Sequence, residues 1–132
     1  MANVPRRPKG QKQKVADLRR GEIYLCLFDP TVGHEIKKTR PALVIQNDVG
    51  NRYSPLTIVA DITSAISPVP YPVEVVIDPT AANGLDARSS IRLDQIRTVD
   101  RQRLAHRLGV VDLSIITQVD QALKISLGLV RL

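Results

Sequence analysis

The sequence predicts a small, mainly β domain finished by a C-terminal helix. Three observations carry this expectation: short runs of strand-forming residues broken by turn residues, a change to helical spacing in the last third, and a length of 132 residues, which suits one domain.

Residues 1–19 stand apart as a basic arm, with the domain proper running from 20 to 132. Residues 1–20 hold seven Lys or Arg against one acid, Asp17, so twelve basic and twelve acidic residues remain beyond them. The excess charge of +6 therefore sits in the tail. The stretch RRPKGQKQK has no apolar periodicity and is expected to be disordered, either as a solubilising arm or as one that contacts phosphates.

From Gly21 the pattern becomes β-type. EIYLCLF (22–28) is rich in strand formers and DPTVG supplies a turn after it. PALVIQ (41–46) is nearly all apolar, as a strand buried on both faces would be, with Pro41 tolerated at its first position. NDVGNRYSP reads as a turn-rich connection and LTIVADIT (56–63) as the next strand. Prolines 68, 70 and 72 make SPVPYP a stiff loop. VEVVI (73–77) and SSIRLDQIRTV (89–99) bring the count to about five strands, which indicates a small barrel or sandwich.

The C-terminal third then changes period. Asp100 is placed to cap a short helix over RQRLAHRL, stopped by Gly109. Ile115, Ile116, Val119, Ala122, Leu123 and Leu127 fall at helical spacing, with Asp112 or Ser114 as cap and Gly128 as the C-terminal stop.

Composition excludes several classes. Apolar runs are short and broken by charge, so no membrane span is expected, and the N-terminus lacks the apolar core of a secretory signal; a cytoplasmic protein is the expectation. One cysteine rules out an internal disulfide framework, and Cys26 with only His34 and His106 gives no zinc-type spacing, so no metal or other cofactor is expected. Cys26 lies inside the first strand and reads as core. His106 reads as surface.

Taken in order, RRGEIYLCLFDPTVGHE, TRPALVIQND, GNRYSP, IVADIT, LDQIRTVDRQRL and VDQALKISLGL resemble the MazF/PemK/Kid-type toxins of bacterial toxin–antitoxin pairs, from about Arg20 to Leu129. The resemblance implies an SH3-like small β-barrel with a C-terminal helix and a homodimer. It also implies metal-independent cleavage of single-stranded RNA at short sequences and neutralisation by a MazE-like antitoxin with an acidic, disordered tail.

Cleavage of that kind uses the 2′-hydroxyl as nucleophile. It needs a base for the hydroxyl proton, a cation for the crowded phosphorane, and an acid for the departing 5′-oxygen. Arginine suits the charge role, because its planar fork matches phosphate oxygens and stays charged. Arg40 is the leading candidate: Pro41 biases it toward an extended backbone and begins a buried strand, which anchors it. The alternative is an exposed basic loop without chemistry. In the family the threonine equivalent to Thr63 sits with the arginine at the scissile phosphate; otherwise Thr63 is a strand-end residue bonded to local backbone.

The base stays open. Glu35 and His34 stand in the loop before Arg40, and an ordinary histidine titrates near 6.5. Arg92 and Asp94 form the other candidate set, resembling the pair proposed in the Kid branch. Strict alternation places Arg92, Asp94 and Ile96 on one face, and the bland alternative for the charged pair is a structural salt bridge. Expected RNA contacts are His34, Lys37, Lys38, Asn47, Arg52, Tyr53, Ser64, Tyr71 and Gln95, with Tyr53 and Tyr71 able to stack on unpaired bases. Two rival functions are a gyrase poison of the CcdB kind, and a nucleic-acid-binding barrel without activity. The ending LGLVRL and the absence of tryptophan disfavour the first.

Overall fold

The computed structural model describes residues 17–28 and 39–131. Eight regular elements follow in order: β1 (Glu22–Leu27), β2 (Thr39–Val44), α1 (Asp48–Tyr53), β3 (Leu56–Thr63), β4 (Glu74–Ile77), β5 (Ser89–Asp100), β6 (Leu104–Val110) and α2 (Leu113–Ser126). A 3-10 turn, Arg101–Arg103, joins β5 to β6. The strands form one antiparallel sheet in the order β4-β5-β3-β2-β1-β6. The expected barrel is thus a curled sheet whose edge strands do not pair. The turn after β4 bridges the gap, where Val110 N–H donates to the Ala82 carbonyl at 2.9 Å.

Strand alternation sorts the interior into two layers. Ile23, Leu43, Ala60, Ile62, Val75, Ile91 and Leu93 face α2, which contributes Val119 and Ala122 fully and Ile115, Ile116 and Leu123 in part. Leu18, Tyr24, Cys26, Phe28, Ala42, Val44, Val59 and Leu104 form a second cluster on the opposite face. Alternate residues of β2 enter both clusters, as its apolar run predicts. Cutting Leu43, which has no exposed surface, to alanine would cost about 2–5 kcal/mol. Helix α2 is capped as expected: Asp112 accepts from Ile115 N–H at 3.0 Å. Gly128 (φ 73°) closes a Schellman turn, with Gly128 N–H donating to Ile125 and Leu129 N–H to Lys124.

Several expectations need correction. RQRLAHRL is not a helix: after one 3-10 turn capped by Asp100 it becomes β6, the sixth strand, which pairs with β1. Gly109 is no helix stop either; it lies in β6, where a Cβ would collide with the Ala82 carbonyl. NDVGNRYSP contains α1, with Asn47 as its cap. The helix is held by buried Asn51, which accepts from Thr57 Oγ1 at 2.7 Å and Gln46 Nε2 at 3.0 Å and donates to the Gln46 carbonyl at 2.9 Å. Leu18, assigned to the arm, is 4% exposed and part of the second cluster. Leu127, expected on the apolar face of α2, is exposed.

Candidate active site

The face that α2 does not cover changes character along its length. Beyond the cluster around Tyr24 and Phe28, one row of cross-strand partners runs Glu74, Arg92, Asp61, Ala42, Tyr24. The next row contains Ser90 opposite Thr63 and Arg40 opposite Cys26. The β2–β3 register sets Ala42 against Asp61, so continuing it two residues brings Arg40 level with Thr63. Arg40, Asp61, Thr63 and Arg92 therefore share one end of one face.

Arg40 is anchored as the sequence suggests, at the second residue of β2 with Pro41 after it and buried Ala42 beyond. Its side chain is 42% exposed, and its Nη2 lies 3.3 Å from Oδ2 of Asp61, whose side chain is only 9% exposed. The guanidinium also sits 5.5 Å from the Phe28 ring centroid, and Arg97 approaches the same ring at 4.4 Å. Thr63 Oγ1 accepts from Ala65 N–H at 3.1 Å. That bond is the local backbone contact of the bland alternative, yet it uses only an acceptor lone pair and leaves the hydroxyl proton available to a phosphate oxygen.

Arg92 and Asp94 form a closed fork, with Nε to Oδ1 at 3.0 Å and Nη2 to Oδ2 at 2.9 Å. The hydrogen bonds from Arg92 hold the Asp94 carboxyl below the usual carboxylate range, and the same bonds raise the Arg92 guanidinium. The fork is made possible by an irregularity. Ala60 pairs with Ile96 but Asp61 pairs with Arg92, so Leu93, Asp94 and Gln95 bulge from the ladder. This corrects the expected alternation: Ile96 packs with the α2-facing core rather than beside Arg92 and Asp94.

Other expected residues fall into three groups. His34, Glu35, Lys37 and Lys38 lie outside the described residues. Ser64, Tyr71 and Gln95 are exposed and belong to the segments next to Thr63 and Asp94, with Tyr71 65% exposed. Asn47 caps α1, and Arg52 and Tyr53 lie in its last turn, after the end of β2 opposite to Arg40. There Asn47 accepts from Gly50 N–H at 2.8 Å and Arg52 lies over Tyr53.

Two carboxylates that sequence reasoning missed organise this end. Asp61 is one. Glu74, 8% exposed, accepts from Ser90 Oγ at 3.1 Å and from Ser67 Oγ and Tyr71 N–H at 3.2 Å each, so it ties the proline-rich loop to the sheet. The available signal was a single acid within each otherwise apolar strand, since a buried carboxylate needs partners. Cys26 is buried as expected, and burial pushes its thiol up to about 11.

Residues 19–127 match the family model described as PemK-like, MazF-like toxin of type II toxin–antitoxin system. Endoribonuclease EndoA of Bacillus subtilis (strain 168) is 45% identical over 113 residues, spanning 86% of this chain and 97% of the relative. Endoribonuclease MazF of Staphylococcus epidermidis is 46% identical over 112 residues, spanning 85% and 92%. Among solved structures, a MazE-MazF crystal structure from Deinococcus radiodurans superposes with a TM-score of 0.71 at 27% identity, covering 85% of this chain and 96% of that one. On both the extent of the family match and these identities, the chain belongs to the PemK-like, MazF-like toxins of type II toxin–antitoxin systems.

Proposed function

We propose that this chain is an endoribonuclease toxin that cuts single-stranded messenger RNA at a short sequence, without a metal, in the cytoplasm, as a homodimer restrained by a MazE-like antitoxin. The observation that carries the reading is the half-exposed Arg40 guanidinium, fixed at the start of a buried strand and level with the Thr63 hydroxyl. A curated relative named as an endoribonuclease, and a relative crystallised as MazE-MazF, support the activity and the partner.

In the proposed reaction a base removes the 2′-hydroxyl proton and the oxygen attacks phosphorus. The bond from phosphorus to the 5′-oxygen breaks as that oxygen gains a proton, leaving a 2′,3′-cyclic phosphate and a 5′-hydroxyl. Arg40 meets the non-bridging oxygens as their charge grows, and Thr63 donates its hydroxyl proton to one of them. The base is one of Glu35, His34 and Asp94. A carboxylate held below its ordinary range binds a proton weakly, so the Arg92 fork favours the two loop residues over Asp94. Ser64, Tyr71 and Gln95 are assigned to the nucleotides beside the cut, with Lys37 and Lys38 on the phosphates. Asn47, Arg52 and Tyr53, around α1, are assigned to a part of the RNA away from the cut.

The test is to incubate pure protein with a long natural RNA and excess chelator, and map the ends. Cyclic-phosphate ends at a recurring short sequence, lost when deoxyribose replaces the ribose at the cut, are expected. Salt-sensitive binding without new ends would favour the nonenzymatic barrel. Loss of supercoiling activity by gyrase with RNA intact would favour the CcdB-like reading.

A further inference from the structure

Asp61 is not explained by stability. It lies in β3 between Ala60 and Ile62, both buried, and is itself 6% exposed. Taking a carboxylate out of water is costly, and repayment requires good geometry and satisfaction of both oxygens. Neither condition is met: the contact to Arg40 is a single one at 3.3 Å, and Asp61 Oδ1 and Arg40 Nε have no hydrogen-bond partner among the described residues. Packed apolar side chains in place of the pair would serve the strand at least as well.

What the carboxylate does is locate a guanidinium. Arg40 is a long side chain with 42% of its surface exposed, and such a side chain loses substantial rotamer freedom when held in one geometry. Asp61 grips Nη2 from below, while the Phe28 ring lies beside the guanidinium at 5.5 Å. Among the described residues Asp61 engages Nη2 alone, and Nε is buried, so the donors left for an anion are those of Nη1 and the second hydrogen of Nη2. Across the next ladder, Arg92 lies directly opposite Asp61 and is backed by Glu74, so the carboxylate is itself flanked by charge of the opposite sign.

Resting on the assignment of Arg40 to the scissile phosphate, we propose that Asp61 is a positioning residue that holds the Arg40 guanidinium ready for the transition state without touching RNA itself. Its contribution is made through Arg40 alone. A group that fixes a catalytic side chain changes the rate of the chemical step more than ground-state binding.

The experiment compares Asp61→Val and Asp61→Asn with the unmodified full chain, in wild-type and Arg40→Ala backgrounds, under single-turnover conditions on a short cleavable RNA. Asp61→Val, shown to be folded by circular dichroism, is expected to lose at least about tenfold in the cleavage rate, with KM changed less than about threefold. Asp61→Asn keeps an oxygen acceptor for Nη2 and is expected to stay within about threefold of the wild-type rate. In the Arg40→Ala background, Asp61→Val is expected to change the residual rate by less than about twofold. A wild-type rate for Asp61→Val, or an equal loss in both backgrounds, would overturn the positioning role. Should Arg40→Ala itself cleave at the wild-type rate, the assignment of Arg40 fails instead, which separates the two claims. An independent check needs no variant that might misfold: nitrogen-15 spectra of the wild-type protein should show hindered rotation of the Arg40 guanidinium, and free rotation would contradict the proposal.

Discussion

Arg92 donates two parallel hydrogen bonds to Asp94, at 3.0 and 2.9 Å, from the ladder into the three-residue bulge of β5. This closed fork sets the first prediction. Asp94 has its folded value depressed, so its contribution to stability is present above the ordinary aspartate value of about 3.9 and is lost as pH falls through the lower, folded value. The pair is partly exposed, 24% for Arg92 and 35% for Asp94, so Asp94→Asn should cost no more than about 1 kcal/mol at neutral pH. Urea denaturation of both proteins should converge as pH drops through the carboxylate range. The same variant should cleave within about tenfold of wild type, since a carboxylate so paired is a weak base.

Thr63 gives a sharper test of the phosphate site. Thr63→Val keeps the β-branched shape but removes the hydroxyl proton, along with the exposed acceptor of Ala65 N–H. Its cleavage rate should fall by about ten- to a hundredfold with little change in melting temperature, whereas Thr63→Ser should retain most of the activity.

Glu74 is expected to act on both stability and binding. Glu74→Ala leaves Ser90 Oγ, Ser67 Oγ and Tyr71 N–H without their common acceptor and should destabilise the fold by about 1–3 kcal/mol in a denaturant titration. The proline-rich loop then loses its tie to the sheet, so KM for RNA should rise more than the rate of the chemical step falls.

The strands from β1 to β5 were legible because their β-branched and apolar runs are bounded by Gly, Pro, Asn, Asp or Ser, and α2 because one apolar stripe is bracketed by Asp112 and Gly128. β6 was not. Leu104 and Leu108 are four residues apart and follow the capping Asp100, a local pattern that suits a helix, and only pairing with β1 decides for a strand. The polar network around Asn51 likewise turns a Gly-containing connection into α1 through contacts from Thr57 and Gln46. That Arg40 and Thr63 lie close to one another was legible through resemblance and the Arg-Pro junction. Their neighbour Asp61 was not, because the row Glu74, Arg92, Asp61 depends on a register that the bulge resets, and no strict alternation can foresee it.

Cys26 offers a test of the second cluster. With its thiol pushed up to about 11 by burial, roughly one molecule in a thousand carries the thiolate at pH 8. A thiol reagent should therefore leave the native protein unlabelled over a period in which the urea-unfolded chain reacts completely. Rapid labelling of native protein would show that this face opens readily.

The central claim is that one guanidinium, supplied from the second residue of a rigid strand, meets the charge of the phosphate being broken. Its most direct measurement is the single-turnover cleavage rate of Arg40→Ala, taken in chelator on protein shown by circular dichroism to be folded. A loss of about a hundredfold or more, on the order of 3 kcal/mol, is predicted. A folded Arg40→Ala protein that cuts the same RNA at the wild-type rate would contradict the account.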